Sequence, residues 1–211
     1  DEAAATALAL AKWFVESGGI SDGRGRMAAH VGKGATLPRA LSGETLPVAS
    51  APRPEPGFTE EGALVAVAFG SMHADTLEVL ARRASELRMT PWRMIFLPAV
   101  DEIPAGLDLV TRADDPILRI EACTGAPWCP QARAKTRRLA QRLAAHVPAG
   151  ATLHVSGCAK GCACARRALT LVASGEGFDL IRNGTASDRP TITGLSADQI
   201  VSDPARYLGW L

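Results

Sequence analysis

The stretch HVSGCAKGCACA, residues 154–165, places three cysteines within seven positions, directly behind the β-branched run ATLHVS. Globular chains rarely crowd thiols in this way unless the thiols bind something. Upstream, Cys123 and Cys129 bracket TGAPW, a C-x5-C pair, and Cys158 and Cys162 bracket AKG, a C-x3-C pair. The first pair follows the strand-like run DPILRIEAC (115–123), and Gly125 and Pro127 let its backbone curl around something bulky. The second pair reads as a turn opening a short helix, which would set its two sulfurs one helical turn apart on one face. A helix start there would also supply backbone donors to thiolate charge.

Four thiolates from two distant segments suit a [4Fe-4S] cluster, which takes one cysteine per iron. Structural zinc sites use tighter pairs, C-x2-C to C-x4-C, so the five-residue gap fits them less well. At this point iron–sulfur, zinc and unliganded cysteines all stand as readings. Cys164 reads as the odd one out, a small half-buried filler. His154, on its strand, reads as a satisfied core or surface histidine rather than a ligand.

Working outward, residues 3–16 read as a helix with Leu8, Trp13 and Phe14 on its apolar face, ended by SGG, and residues 32–58 read mostly as a surface connection. ALVAVAF (63–69) is a continuous apolar run, as in a strand covered on both faces. HADTLEVLARRASELRM (73–89) carries Leu77, Leu80, Ala81, Ala84 and Leu87 at helical spacing, and WRMIFLPAV returns as a strand. This is a β-α-β unit, half of a ferredoxin-like fold. Beyond Cys129, CPQARAKTRRLAQRLAAHV reads as a helix, ALTLVAS and GFDLIRNG as a hairpin around GEG, and SADQIVSDPARYL as a closing helix capped by Ser196. The fold class expected is α+β of α/β type. Its expected divisions are an N-terminal helix and linker (1–58), a ferredoxin-like half-domain (59–105) and a cysteine-bearing domain (106–211).

Composition narrows the partners. With 211 residues, 47% hydrophobic and 21% charged, the chain can bury a real core without covalent staples. A formal net charge of +1 speaks against nucleic acid as partner. AAATALALA, near the start, is too short to span a bilayer and follows no basic n-region, so neither a membrane anchor nor a signal peptide is expected. Five cysteines, an odd number, fit a disulfide framework poorly. A reducing, cytoplasmic compartment is expected. Opening on Asp1 rather than Met, the chain reads as a piece of a longer one.

ACTGAPWC…HVSGCAKGCA resembles the cluster motif of the siroheme-type sulfite and nitrite reductase superfamily, C-x5-C, a spacer, then C-x3-C. LRMTPWRMIFLP is similar to the end of that superfamily's ferredoxin-like half-domain. The superfamily's assimilatory reductases read Gly-Cys-Pro-Asn after the strand. Ala159 and Lys160 here, with the tail FDLIRNGTASDRP…GLSAD, are instead similar to the precorrin-3B synthase branch. The resemblance implies an oxidoreductase of cobalamin biosynthesis. It would use oxygen and an electron donor to hydroxylate the tetrapyrrole precorrin-3A and close a lactone. It also implies a nitrite/sulfite reductase-like domain holding a [4Fe-4S] cluster on Cys123, Cys129, Cys158 and Cys162, with siroheme or a mononuclear iron as a further centre. Such proteins have two half-domains of each kind, so this chain resembles a C-terminal half whose N-terminal half is missing, and the catalytic residues remain unassigned. A carboxylate-rich macrocycle calls for cations, and Arg88, Arg93 and Lys160 are the candidates, with Trp92 or Trp128 to meet a ring face. A siroheme-dependent reductase and a non-catalytic metal-binding module are the competing readings.

Overall fold

A computed structural model describes residues 2–43, 45, 48–49, 52–175 and 177–209. The chain divides into two units, 1–52 and 53–211.

In the first unit, helix α1 (Glu2–Glu16) ends where Ser17 and Gly18 peel away. Strands β1 (Ile20–Ser21) and β2 (Arg24–Gly25) form a hairpin whose two-residue turn, Asp22–Gly23, has both φ angles positive, as this turn class requires. Helix α2 (Met27–Gly32) follows, and its His30 ring lies 5.5 Å from both Trp13 and Phe14 and bonds the Ser17 hydroxyl at 2.8 Å. No residue of α1 is buried, and Leu8 is 59% exposed.

The second unit holds two sheets. The first contains β3 (Gly57–Thr59), β4 (Gly62–Val67), β5 (Arg88–Met89) and β6 (Met94–Pro98) in the order β3-β4-β6-β5, with β7 (Leu109–Val110) also on β4. As the apolar run ALVAVAF predicts, β4 is covered on both faces. Ala63, Val65 and Val67 pack with Leu80, Ile95 and Leu97, and Ala66 packs the other way with Met94 and Val110. Helix α3 (Ala74–Arg83) covers the first of these faces through Leu80. It is capped by Asp108, which accepts from the His73 N–H and the Thr76 hydroxyl.

Two expectations are corrected here. Leu77 and Ala81 face solvent, the buried positions of α3 being Thr76 and Leu80. And β4 and β6 are antiparallel neighbours, not the parallel pair of a β-α-β unit. The two-residue β5, itself antiparallel to β6, takes the upward pass after α3, so β6 must come down.

The second sheet runs β12-β11-β10-β9-β8, built from β8 (Ile120–Ala122), β9 (Leu153–Ser156), β10 (Ala168–Ser174), β11 (Gly177–Gly184) and β12 (Ile192–Leu195). Strands β8, β9 and β10 are parallel, and β10, β11 and β12 antiparallel. Helix α4 (Thr136–Leu143) crosses from β8 to β9 and buries Leu139, Ala140 and Leu143 against Leu153, Val155 and Leu171. Helices α5 (Ala197–Ser202), with a Ser196–Gln199 capping box, and α6 (Pro204–Leu208) close the same core through Ile200 and Leu208. The single closing helix expected from 196–208 is thus two, split at Asp203, which caps the second. Likewise DPILRIEAC is a strand only over 120–122. Asp115 caps a 3-10 turn, Pro116–Arg119, ahead of it. Phe69, at φ +56, leaves the first sheet and packs into the second sheet's core. Among the described residues no helix is long and apolar enough to cross a membrane.

Candidate functional site

Neighbouring parallel strands end at the same edge of a sheet, and loops leaving their carboxyl ends form the usual binding crevice of such sheets. Cys123 directly follows β8, and Cys158 lies two residues past β9. The two cysteine segments are therefore brought together by the topology, and backbone bonds knit them. Gly157 N–H donates to Cys123 Sγ at 3.1 Å, and Arg133 N–H to Gly157 O at 2.9 Å. Position 157 tolerates nothing larger, since a Cβ there would lie 2.6 Å from Ala132 Cβ and 3.4 Å from Cys123 Sγ.

The C-x5-C loop folds back on itself. Cys129 N–H reaches Gly125 O at 2.9 Å, Ala126 N–H reaches Ala134 O at 2.9 Å, and the Thr136 hydroxyl donates to Cys123 O at 2.7 Å. These bonds explain why the helix expected from 129 begins only at 136: backbone groups of 129–134 are already engaged across the loop. The helix expected after Cys158 is absent altogether. Residues 157–167 join the parallel strands β9 and β10 without regular structure, and Gly161 at φ +62 breaks any helical run. Donors to the sulfurs therefore come from individual N–H groups such as that of Gly157, not from a helix start.

Cys123, Cys129, Cys158 and Cys162 line one cavity of about 280 Å³, together with Trp128, Ala132 and Ser156. The first three are half-buried and Cys162 is exposed. Cys164 is buried, does not line the cavity, and turns its thiol to Arg166 O at 3.5 Å, as a filler would. Among the described residues no three His, Cys, Asp or Glu side chains close around a point as a single ion requires.

The expected cations part company. Lys160 lines a second cavity of about 600 Å³, which shares Cys158 with the first. Its other lining residues include Arg133 and the apolar Val172, Ile181 and Ala186. Arg93, at φ +59, is held by Glu121 at 2.8 Å and lines neither of these two cavities. Arg88 sits on β5, bonded to Glu86 at 2.6 and 3.3 Å with its guanidinium 6.0 Å from the Phe96 ring centre, and also lines neither. The guanidinium holds the Glu86 carboxyl below its ordinary range.

Arg93–Glu121 joins the first sheet's 90–93 turn to β8, the strand that leads into Cys123. With the two side chains 40% and 21% exposed, a double-mutant cycle of Arg93→Ala and Glu121→Ala should read a coupling of roughly 0.5–1 kcal/mol in urea denaturation. A coupling indistinguishable from zero would reduce the pair to a surface contact. Trp128 stands 80% exposed at the rim of the cysteine cavity, and Trp92 is 37% exposed.

Two residues that sequence reading passed over or misread also stand here. Arg133, expected within the helix beyond Cys129, lines the 600 Å³ cavity. His154 is fully buried, and neither ring nitrogen has a hydrogen-bond partner among the described residues, contrary to the satisfied histidine expected. Burial pushes its pKa down to about 4.

No family model matches the chain. A curated protein of Sinorhizobium sp., named precorrin-3B synthase, is 30% identical to it over 143 residues. The chain is similar to a precorrin-3B synthase. The match takes in 59% of this chain and 31% of that synthase, so the chain spans about a third of the relative's length. Of solved structures, the Mycobacterium tuberculosis NirA protein matches 76% of this chain and 39% of its own length, at 20% identity and a TM-score of 0.44.

Proposed function

We propose that this chain is the cluster-bearing part of an oxidoreductase of precorrin-3B synthase type. Its reaction would be the oxygen-dependent hydroxylation and lactone closure of precorrin-3A in the cytoplasm. The observation that carries the reading is the convergence of Cys123, Cys129, Cys158 and Cys162 on one cavity, because four thiolates are the ligand set of a [4Fe-4S] cluster. Bound there, the cluster supplies one-electron transfer from a donor. The chain's own part is to hold and tune the ligands. The Gly157 N–H bond to Cys123 Sγ stabilises thiolate charge, and the Thr136 bond to Cys123 O fixes the loop that aims the sulfur.

Beside it, the 600 Å³ cavity offers Lys160 and Arg133 to carboxylates over an apolar wall of Val172, Ile181 and Ala186, while Asp179 and Asp188, which also line it, are engaged by the Ser174 hydroxyl and Gly194 N–H and by Arg167 and Thr185 N–H respectively. That pairing of charge and apolar surface suits a flat, carboxylate-rich tetrapyrrole. The residues that activate oxygen belong, in this reading, to a further part of the protein, in keeping with the greater length of the relative.

Anaerobic reconstitution of the 211-residue chain with ferrous iron and sulfide should give four irons and four labile sulfides per chain, with an EPR signal on reduction. Replacing any one of the four cysteines by Ala should cut that uptake, whereas Cys164→Ala should leave it unchanged. One zinc per chain without labile sulfide would overturn the reading in favour of a metal-binding module. Tight siroheme uptake with sulfite reduction would move it to a siroheme reductase.

A further inference from the structure

His154 is an unpaired polar side chain in a place where unpaired groups are rare. Along β9, Leu153 and Val155 enter the core under α4, while His154 and Ser156 face the other way. On that face His154 lies opposite Glu121 of β8 and Thr170 of β10. Each polar neighbour is committed elsewhere. Glu121 holds Arg93, Thr170 donates to Gly184 O at 2.9 Å, and Ser156 donates to Cys158 O at 2.7 Å. Both imidazole nitrogens are nonetheless enclosed and without a partner among the described residues.

Against the ring stands the middle of the second cysteine segment. The point where a Gly161 Cβ would be is 3.7 Å from His154 Cε1 and 3.1 Å from Ala186 Cβ. Among the described residues, no backbone N–H from Cys158 to Ala163 donates to a backbone or side-chain acceptor. A ring with an open acceptor thus underlies a segment with open donors, and that segment carries two of the four cysteines. A buried polar group without a partner calls for an explanation, and a bond completed in another state of the protein is one.

We propose that His154 is a positioning residue for the Cys158–Cys162 segment, its imidazole accepting a backbone N–H of that segment when the four cysteines carry a cluster. This rests on the cluster reading above. Gathering Cys158 and Cys162 onto a common body would move the segment that stands against the ring at Gly161, and bring one of its open donors onto the imidazole. The buried ring is neutral at ordinary pH and so keeps one nitrogen free to accept.

The test compares the wild-type chain with His154→Phe, which keeps a ring but no acceptor, and with His154→Gln, which keeps an acceptor. His154→Leu serves as a second loss variant without the aromatic bulk. In the metal-free state the Phe and Leu variants should melt no lower than wild type, because they remove an unpaired group. After loading, an iron chelator should strip the cluster from them about fivefold faster than from wild type, the factor one hydrogen bond carries. His154→Gln should stay within about twofold of wild type.

Equal stripping rates in wild type and the loss variants would overturn the inference while leaving the cluster reading intact. So would loss variants that melt several degrees lower without metal, since the ring would then already serve the empty fold. A wild-type chain that takes up no iron and sulfide overturns both.

Discussion

Gly125→Ala should lower the stability of the chain by roughly 2–4 kcal/mol in urea denaturation. The residue sits at φ +70, in the left-handed region, which for alanine costs on the order of 1 kcal/mol. The larger part is contact. A Cβ there would lie 2.5 Å from Thr136 Oγ1, 2.8 Å from Thr136 N and 3.1 Å from Ala134 O, so backbone at the start of α4 must move. Moving it breaks the Thr136 bond to Cys123 O and unseats the C-x5-C loop. Gly150→Ala separates the two contributions, because Gly150 has φ +79 and nothing within 4 Å of its missing Cβ. That variant should lose only about 1 kcal/mol. Equal losses in the two variants would mean that the contact with Thr136 matters little.

The difference between these two glycines illustrates what was readable in the sequence and what was not. That each cysteine pair follows a strand-like run was legible in the sequence, and adjacent parallel strands bring those trailing loops to one cavity. The continuous apolar character of 63–67 likewise foretold a strand covered on both faces. The antiparallel sense of β4 and β6 was hidden because β5 is two exposed residues, too short to leave a pattern, yet it reverses the direction of everything after it. The helix after Cys129 looked long because Ala, Arg and Gln favour helix. Tertiary bonds from Arg133 to Gly157 and from Ala126 to Ala134 claim backbone groups that a helix would need. The missing helix after Cys158 turns on one torsion at Gly161. Arg93 looked available to a ligand because its partner, Glu121, lies 28 residues away. The unpaired state of His154 depends on Glu121, Thr170 and Ser156 each being bonded elsewhere, which no local pattern encodes.

That same ring should give the metal-free chain a marked sensitivity to mild acid. Its pKa is about 4 in the folded chain against 6.5 ordinarily, with burial as the cause, so the unfolded chain binds the proton more readily. Above pH 6.5 both states are neutral at this position and stability is independent of pH on its account. Between 6.5 and 4 the unfolded state is protonated and the folded state is not, so stability falls steadily as pH falls. Below 4 both are protonated and no further loss follows. At about 1.4 kcal/mol for each unit of difference, the whole window amounts to roughly 3 kcal/mol. The carboxylates with lowered pKa act elsewhere on the scale. Glu61, bonded by Thr59, Glu86, held down by Arg88, Asp114, held down by Arg112, and Asp108, where burial is outweighed by the bonds from Thr76 and His73, add stability that is lost only as pH drops below about 4.5. Urea midpoints of the metal-free chain at pH 7, 6, 5 and 4.5 should therefore decline in wild type and stay nearly level in His154→Phe. A wild-type profile as flat as the variant's would mean that the ring is hydrated or partnered in solution, and a variant profile as steep as wild type would assign the acid sensitivity to another group.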